Sequence, residues 1–345
     1  MKTKFATLFT ILSLVAITSC QNNSKSIGIF VYEETDTFIR SLETEIIASL
    51  NNDFDLLETK YGETNQTLQN EQIVDCLTYD KPQLLLVNIV DRLAASSIIE
   101  KATLEKTPVI FFNREPLYED LKGTKDIYYV GISPSKEGAL QAELVDTIFG
   151  GTKGFLDKYD KNHDGKVGTM VYKGSMGHQD SELRLKNSIQ GLTSRGYELD
   201  LLSVNYCNWQ REFAYEEFSR EYDLYKDKIE LVLSGNDDMA LGVIDYLKTL
   251  PQYNENEDKE IKDIFFPVVG NDATEVAIDS IRHGELSGTI INNAKEQADA
   301  IKEIALRIFS DKENKWDDFK YEFHNQYYVH IEPKIYVKES NSPQK

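Results

Sequence analysis

The chain has 345 residues, with 58 acidic side chains against 38 basic ones and a formal net charge of −20. Such an acidic balance argues against nucleic-acid binding, which needs a basic face, and it favours solubility. Hydrophobic residues make up 41% of the chain, enough for a sizeable core. The length suits two domains.

The first twenty residues read as a signal rather than as part of the fold. MKTK is a basic start, FATLFTILSLVAI a short apolar run, and ITSC ends at Cys20. The run is too short to span a membrane stably. It resembles the bacterial lipobox, in which cleavage leaves the cysteine as an acylated N-terminus, so Cys20 is the expected lipidation site and QNNSKS a polar tether.

Beyond it, β-rich runs alternate with helical stretches. IGIFVY (27–32) reads as a strand and Phe38–Leu50 as a helix. FDLLETK is a second strand and Asn65–Leu77 a second helix. QLLLVNIV is almost wholly apolar, as a strand buried on both faces should be. A helix from Arg92 to Leu104, then PVIFFN and IYYVGI, continue the rhythm of a parallel, doubly wound sheet. The pattern then restarts. A helix over Ser135–Phe149 leads to VGTMVYKG, and Asp180–Arg195 to LDLLSVNY. Arg211–Tyr225 leads to IELVLSG, and Asp238–Leu250 to the acidic surface connection LPQYNENEDKEIKD. FFPVVG, Glu275–His283 and LSGTIIN complete the second set. A helix over Lys295–Phe309, a last strand pair in YYVHIEPKIYV and a disordered tail ESNSPQK follow. Cys76 and Cys207 sit in apolar contexts and read as two separate structural thiols, and no zinc-type spacing exists.

The α/β pattern thus gives two doubly wound parallel-sheet, Rossmann-like lobes with a cleft between them. Ligands in such sheets bind beyond the carboxyl ends of the strands. Asp36 and Phe38 follow the first strand, Asn113 ends PVIFFN, and His178, Asp180 and Arg184 follow VGTMVYKG. Trp209 follows LDLLSVNY, Asn236 follows IELVLSG, Asp272 follows FFPVVG, and Asn292 ends LSGTIIN. Each alone is ordinary turn chemistry. Together they are amides, carboxylates and an arginine with two aromatics, which suits a neutral polyhydroxylated ligand.

DKNHDGKVGTMV (160–171) looks like a truncated calcium loop. Asp160, Asn162 and Asp164 take positions 1, 3 and 5, and Gly165 the sharp turn. Position 12 should be a bidentate Glu; it is Val171, inside a strand-like run.

PVIFFNREP, GHQDSELR, VGNDA and GTIINNA, in this order and spacing, resemble the bacterial periplasmic galactose/glucose-binding proteins, receptors of sugar ABC transporters. The resemblance runs from about Ile27 to Val337. It implies a type I periplasmic binding protein fold, with lobes joined by a three-segment hinge. Residues 25–132 and 293–328 would form one lobe, and 133–292 with 329–345 the other. The chain would cross near Ile132–Ser133, Asn292–Asn293 and Tyr328–His330. It also implies that Asp36, Phe38, Asn113, His178, Asp180, Arg184, Trp209, Asn236, Asp272 and Asn292 contact D-galactose or D-glucose. The match at Asp36 implies tolerance of either C4 epimer. The missing calcium ligand is implied at Glu230, giving the set Asp160, Asn162, Asp164, the Lys166 carbonyl and Glu230. Gly168 departs from the side-chain oxygen of position 9, so weaker binding of a structural Ca2+ is expected. A monomer that closes on the sugar and delivers it to a membrane permease is the implied partner scheme.

Two other classes compete. Asp36, Asp180 and Asp272 could supply the carboxylate pair of a glycosidase. However, Arg184 and the amides read as ground-state binders, and the chain has no nucleophile elbow, phosphate loop or cofactor fingerprint. A sugar sensor that presents its closed form to a chemoreceptor or sensor kinase is the alternative role for the same pocket.

Overall fold

The computed structural model describes residues 25–256 and 258–338. The signal, Cys20 and the tail 339–345 lie outside the described residues.

Thirteen strands are described: β1 Ser26–Val31, β2 Asp55–Leu56, β3 Lys60–Tyr61, β4 Leu84–Val87, β5 Val109–Phe112, β6 Ile127–Ile132, β7 Val167–Lys173, β8 Leu199–Tyr206, β9 Leu231–Ser234, β10 Val268–Val269, β11 Thr289–Ile291, β12 Tyr328–Ile331 and β13 Lys334–Tyr336. A parallel sheet runs β12-β6-β5-β4-β1-β2, with β3 also on β1. A second parallel sheet runs β10-β9-β7-β8. β11 pairs antiparallel with β13, and single bridges at Gly288 and Ile291 tie β11 to the second sheet.

β4, β5 and β6 are buried along their whole length because helices cover both faces of the first sheet. The period of two is visible in the packing. Ile27, Ile29, Leu84, Leu86, Ile110 and Phe112 face the helices Thr37–Leu50 and Ala294–Ile308. Phe30, Leu85, Val87, Val109 and Phe111 face Ala95–Leu104 on the other side. The second sheet is covered in the same way, so each lobe holds two apolar cores, one on each face of its sheet. Cys76 and Cys207 are both buried and free, in different cores.

The chain passes from β6 into the helix Pro134–Phe149 of the second lobe, and from β11 into Ala294–Ile308 of the first. The third passage corrects the sequence reading. Tyr328–Ile331 pairs with Tyr129–Ile132 along its length, whereas Lys334–Tyr336 pairs with Thr289–Ile291. The two final strands therefore belong to different lobes and do not pair with each other. The crossing falls at Glu332–Pro333, after His330, and Pro333 offers no N–H to extend a ladder there. FDLLETK is likewise not one strand but two short ones, β2 and β3, and the acidic connection contains two four-residue helices.

Helices Pro134–Phe149 and Gln179–Ser194 pack closely in the second lobe. Glycine permits this: a Cβ on Gly138 would lie 2.2 Å from the Arg184 carbonyl, and one on Gly191 would lie 2.5 Å from Ala142 Cβ. The contact fixes the register of Arg184 at the cleft.

Candidate functional site: the interlobe cleft

A cleft with about 400 Å³ of free space, part of it open to solvent, lies between the carboxyl ends of the two sheets. All ten residues singled out from strand ends line it, together with Tyr32, Ile39 and Arg114, which the sequence reading did not single out.

In the first lobe, Asp36 caps the helix Thr37–Leu50. Its Oδ1 accepts from Ile39 N at 3.0 Å and its Oδ2 from the Tyr32 hydroxyl at 2.6 Å. Phe38 is buried behind it in the first turn. The Arg114 guanidinium stacks 3.6 Å over the Tyr32 ring, and it is held by a 2.5 Å bond to the Val90 carbonyl. Burial, and secondarily the neighbouring Asp36, push the Tyr32 phenol well above its ordinary range. Asn113 accepts from Asn88 Nδ2 at 3.1 Å, and its carbonyl accepts from the Tyr129 hydroxyl at 2.8 Å.

In the second lobe, Arg184 is buried and forks onto Glu137, with Nη2–Oε2 at 2.7 Å and Nε–Oε2 at 3.2 Å. The Arg184 guanidinium also donates to the Gly235 carbonyl. Glu137 Oε1 accepts from Asn271 Nδ2 at 3.0 Å, and the same amide reaches Asp272 Oδ1 at 3.1 Å. Asn292 Nδ2 also approaches Asp272 Oδ1, at 3.4 Å, while Asn292 Oδ1 accepts from Gln297 at 2.6 Å. Asn236 caps the helix Asp237–Leu247 through Met239 N and donates to the Trp209 carbonyl at 3.0 Å. Trp209 lies on Gly174, where any Cβ would fall 2.0 Å from the indole, and its ring meets His178 edge-on at 5.3 Å.

Three lining residues hold left-handed backbone: Asn113 (φ +62°), Trp209 (φ +68°) and Asp272 (φ +114°). Strained non-glycine backbone of this kind gathers at ligand sites. Enclosure between the lobes pushes the Asp180 carboxyl up to about 7, against the pull of Arg184. Burial raises Asp272 as well, and it lowers His178, which the arginines 114, 184 and 92 lower further. The imidazole is therefore neutral, and its buried Nδ1 has no protein partner. The cleft thus offers two cations, Arg114 and Arg184, neutral donors and acceptors, and aromatic walls.

Away from the cleft, Glu230 is fully buried against the 160–168 loop and bridges its ends. It accepts from Lys161 N at 2.7 Å and from Gly168 N at 2.9 Å. Burial, and in smaller part the Asp160 charge, raise its carboxyl. Asp160 Oδ2 accepts from Gly165 N, and its buried Oδ1 has no partner. Asn162 and Asp164 bond each other and the loop backbone, with Lys166 N donating to Asp164. No group of three His, Cys, Asp or Glu side chains gathers at metal-binding geometry among the described residues. Two adjoining buried carboxylates with an orphaned oxygen are nonetheless a donor set that fits a hard cation. Gly168 has a physical reason: a Cβ there would lie 1.8 Å from the Lys228 carbonyl. Position 9 therefore has no room for a side-chain ligand.

Residues 27–313 match the family described as "Periplasmic binding protein domain", and the chain belongs to that family. It is an extracytoplasmic solute receptor, a binding protein and not an enzyme. The chain is 29% identical over 324 residues to the D-galactose/methyl-galactoside binding periplasmic protein MglB of Haemophilus influenzae, covering 91% of this chain and 92% of that one. Its fold matches a periplasmic solute binding protein of Actinobacillus succinogenes 130z with bound D-allose (TM-score 0.72, 16% identity, 91% and 98% coverage). It also matches an ABC transporter solute binding protein of Bacillus halodurans C-125 with bound myo-inositol (TM-score 0.70, 19% identity, 91% and 94% coverage).

Proposed function

We propose that the protein captures one D-galactose or D-glucose pyranose in the interlobe cleft and delivers it to an ABC transporter permease. The convergence of ten strand-end residues from both lobes on one cleft carries this reading. Asp36, Asp180 and Asp272 accept from ring hydroxyls, Arg184 and His178 donate, and Asn113, Asn236 and Asn292 do both. Phe38 and Trp209 cover the apolar faces of the ring. The fold supports closure, since three strands of chain join the lobes and the site is made of both. Similarity to a galactoside-binding relative over nearly the whole chain favours the hexose over other polyols.

The test is a titration of the chain from Ser24 onward with D-galactose, D-glucose, D-allose and myo-inositol, read by tryptophan fluorescence and calorimetry. Saturable binding of galactose or glucose in the micromolar range, tighter than of allose and inositol, supports the assignment. Saturation by inositol or allose alone transfers the cleft to that ligand.

A Ca2+ held by Asp160, Asn162, Asp164, the Lys166 carbonyl and Glu230 is part of the proposal, as a brace within the second lobe. Added calcium should raise Tm in the chelator-treated protein and leave it unchanged in Glu230→Gln. A diacylated Cys20 would keep the receptor at the membrane, and mass spectrometry of the membrane-extracted protein reads that directly.

A further inference from the structure

A second cavity adjoins the cleft at its mouth. It offers about 1610 Å³ of free space, part of it open to solvent, against about 400 Å³ on the same measure for the inner cleft. Tyr32, Asp36 and Trp209 line both spaces, so the two meet at these side chains. The outer space takes its walls from both lobes, with Glu33 and Thr64 from the first, and Asn208, Arg211 and Asp238 from the second. These are hydroxyls, amides, carboxylates and a guanidinium, the same donor and acceptor chemistry as the inner cleft.

The two lobes come near each other at the rim of the outer space, where Thr37 of the first and Asp238 of the second both line the cavity. Its walls are also held in place. Arg211 is forked onto Asp245 at 2.6 and 2.8 Å, and the Thr64 amide donates to the Tyr32 carbonyl at 2.9 Å.

We infer that the receptor takes a hexose carrying a second sugar unit, with the first ring in the inner cleft and the second in this outer space. The inference rests on the hexose reading above. Trp209 and Asp36 mark the junction, so the glycosidic oxygen passes between them. A monosaccharide fills only the inner part and leaves the outer walls to water, whereas a disaccharide engages both.

The experiment is calorimetry on the mature chain with D-galactose, methyl β-D-galactoside, lactose and melibiose. It is repeated on Thr64→Trp and Val276→Trp, which fill the outer space from opposite lobes without touching the inner lining. At least one disaccharide should bind about tenfold tighter than methyl galactoside, the worth of one or two net hydrogen bonds. Both tryptophan variants should erase that gain and keep galactose affinity within about twofold. The inference is overturned if galactose and its methyl glycoside bind while both disaccharides bind more weakly than the methyl glycoside. It is also overturned if the gain survives both fillings. Failure of every sugar, monosaccharides included, would instead remove the hexose reading on which it stands.

Discussion

Glu137→Gln is the most informative single change, because Glu137 touches none of the cleft's open volume yet holds Arg184, one of its two buried cations. Glu137 and Arg184 are 1% and 6% exposed, and the carboxylate accepts three hydrogen bonds, two from Arg184 and one from Asn271. Breaking a buried pair by removing one partner typically costs about 3–5 kcal/mol, because the other charge stays desolvated. Two features reduce that here. The amide keeps one acceptor oxygen, and Asp180 and Asp272 still face Arg184 electrostatically. The amide nitrogen, however, must face either Arg184 or Asn271, a donor against a donor. We therefore expect a loss of about 2–3 kcal/mol, read as a lower urea midpoint at unchanged slope. Charge adds a second signature. Glu137 is among the groups that raise Asp180 and Asp272, so its neutralisation should let Asp180 ionise at lower pH. Urea titration combined with calorimetry from about pH 5 to pH 8 checks both arms. A midpoint within about 0.5 kcal/mol of wild type, with an unmoved pH profile, would refute the claim that this pair is desolvated and coupled to the cleft.

Sugar affinity should depend on pH through Asp180. Its folded carboxyl, pushed up to about 7, lies above its unfolded value, so the protonated form stabilises the unliganded protein at low pH. That contribution is lost as pH rises through about 7. A hydroxyl that donates to the carboxylate selects the ionised form, so galactose should bind about tenfold tighter at about pH 8 than at about pH 6. Asp180→Asn should bind weakly with a flat profile, and a flat wild-type profile would sink the assignment. Trp209→Ala should weaken sugar binding by about thirtyfold, roughly 2 kcal/mol of lost ring contact, at near-normal stability. Gly168→Ala should cost about 3 kcal/mol or more of stability, since its Cβ meets a backbone carbonyl that cannot rotate away. Denaturation midpoints read it, and a neutral result would mean that β7 can shift.

How much of this was legible in the sequence depended on how local each signal was. The strand-end residues were readable because a parallel sheet places them at one edge, and Asp36 or Asn236 announces both a helix start and a cleft wall. Tyr32 was hidden because it reads as the last residue of an apolar strand. Arg114 was hidden because FFNREP reads as a loop, and nothing in it shows that the guanidinium turns back over Tyr32. Glu137 looked like an ordinary acid in the first turn of a helix. Only the approach at Gly138, set by a helix 40-odd residues later in the chain, buries it against Arg184. The third crossing was misplaced by a few residues because apolar strand patterning does not say which sheet a strand joins. Gly168 was legible as a departure from the loop pattern, but its cause is a contact with Lys228, 60 residues away in sequence.

The choice between turn chemistry and ligand chemistry at these strand ends is a false one. Asp36 and Asn236 each spend one side-chain oxygen lone pair on a helix cap and still face the cleft. The cap is what aims them: it fixes χ1 and holds the remaining polar atoms toward the space between the lobes. The same placement brings the N-termini of the helices Thr37–Leu50, Gln179–Ser194 and Asp237–Leu247 to the cleft. Each contributes about half a positive charge at its first turn. With Arg114 and Arg184, these dipoles offset Asp36, Asp180 and Asp272 in a chain whose net charge is otherwise strongly negative. A neutral ligand then meets a cleft rich in acceptors but not dominated by one sign of charge. Removing the Asp36 cap should therefore disturb the site twice, once by freeing the helix start and once by leaving the Tyr32 hydroxyl without its acceptor. Asp36→Asn, which keeps a capping oxygen, should retain stability within about 0.5 kcal/mol and lose affinity, whereas Asp36→Ala should lose about 1 kcal/mol of stability as well. Equal stability losses in the two variants would show that cap and ligand acceptor are not separable in this way.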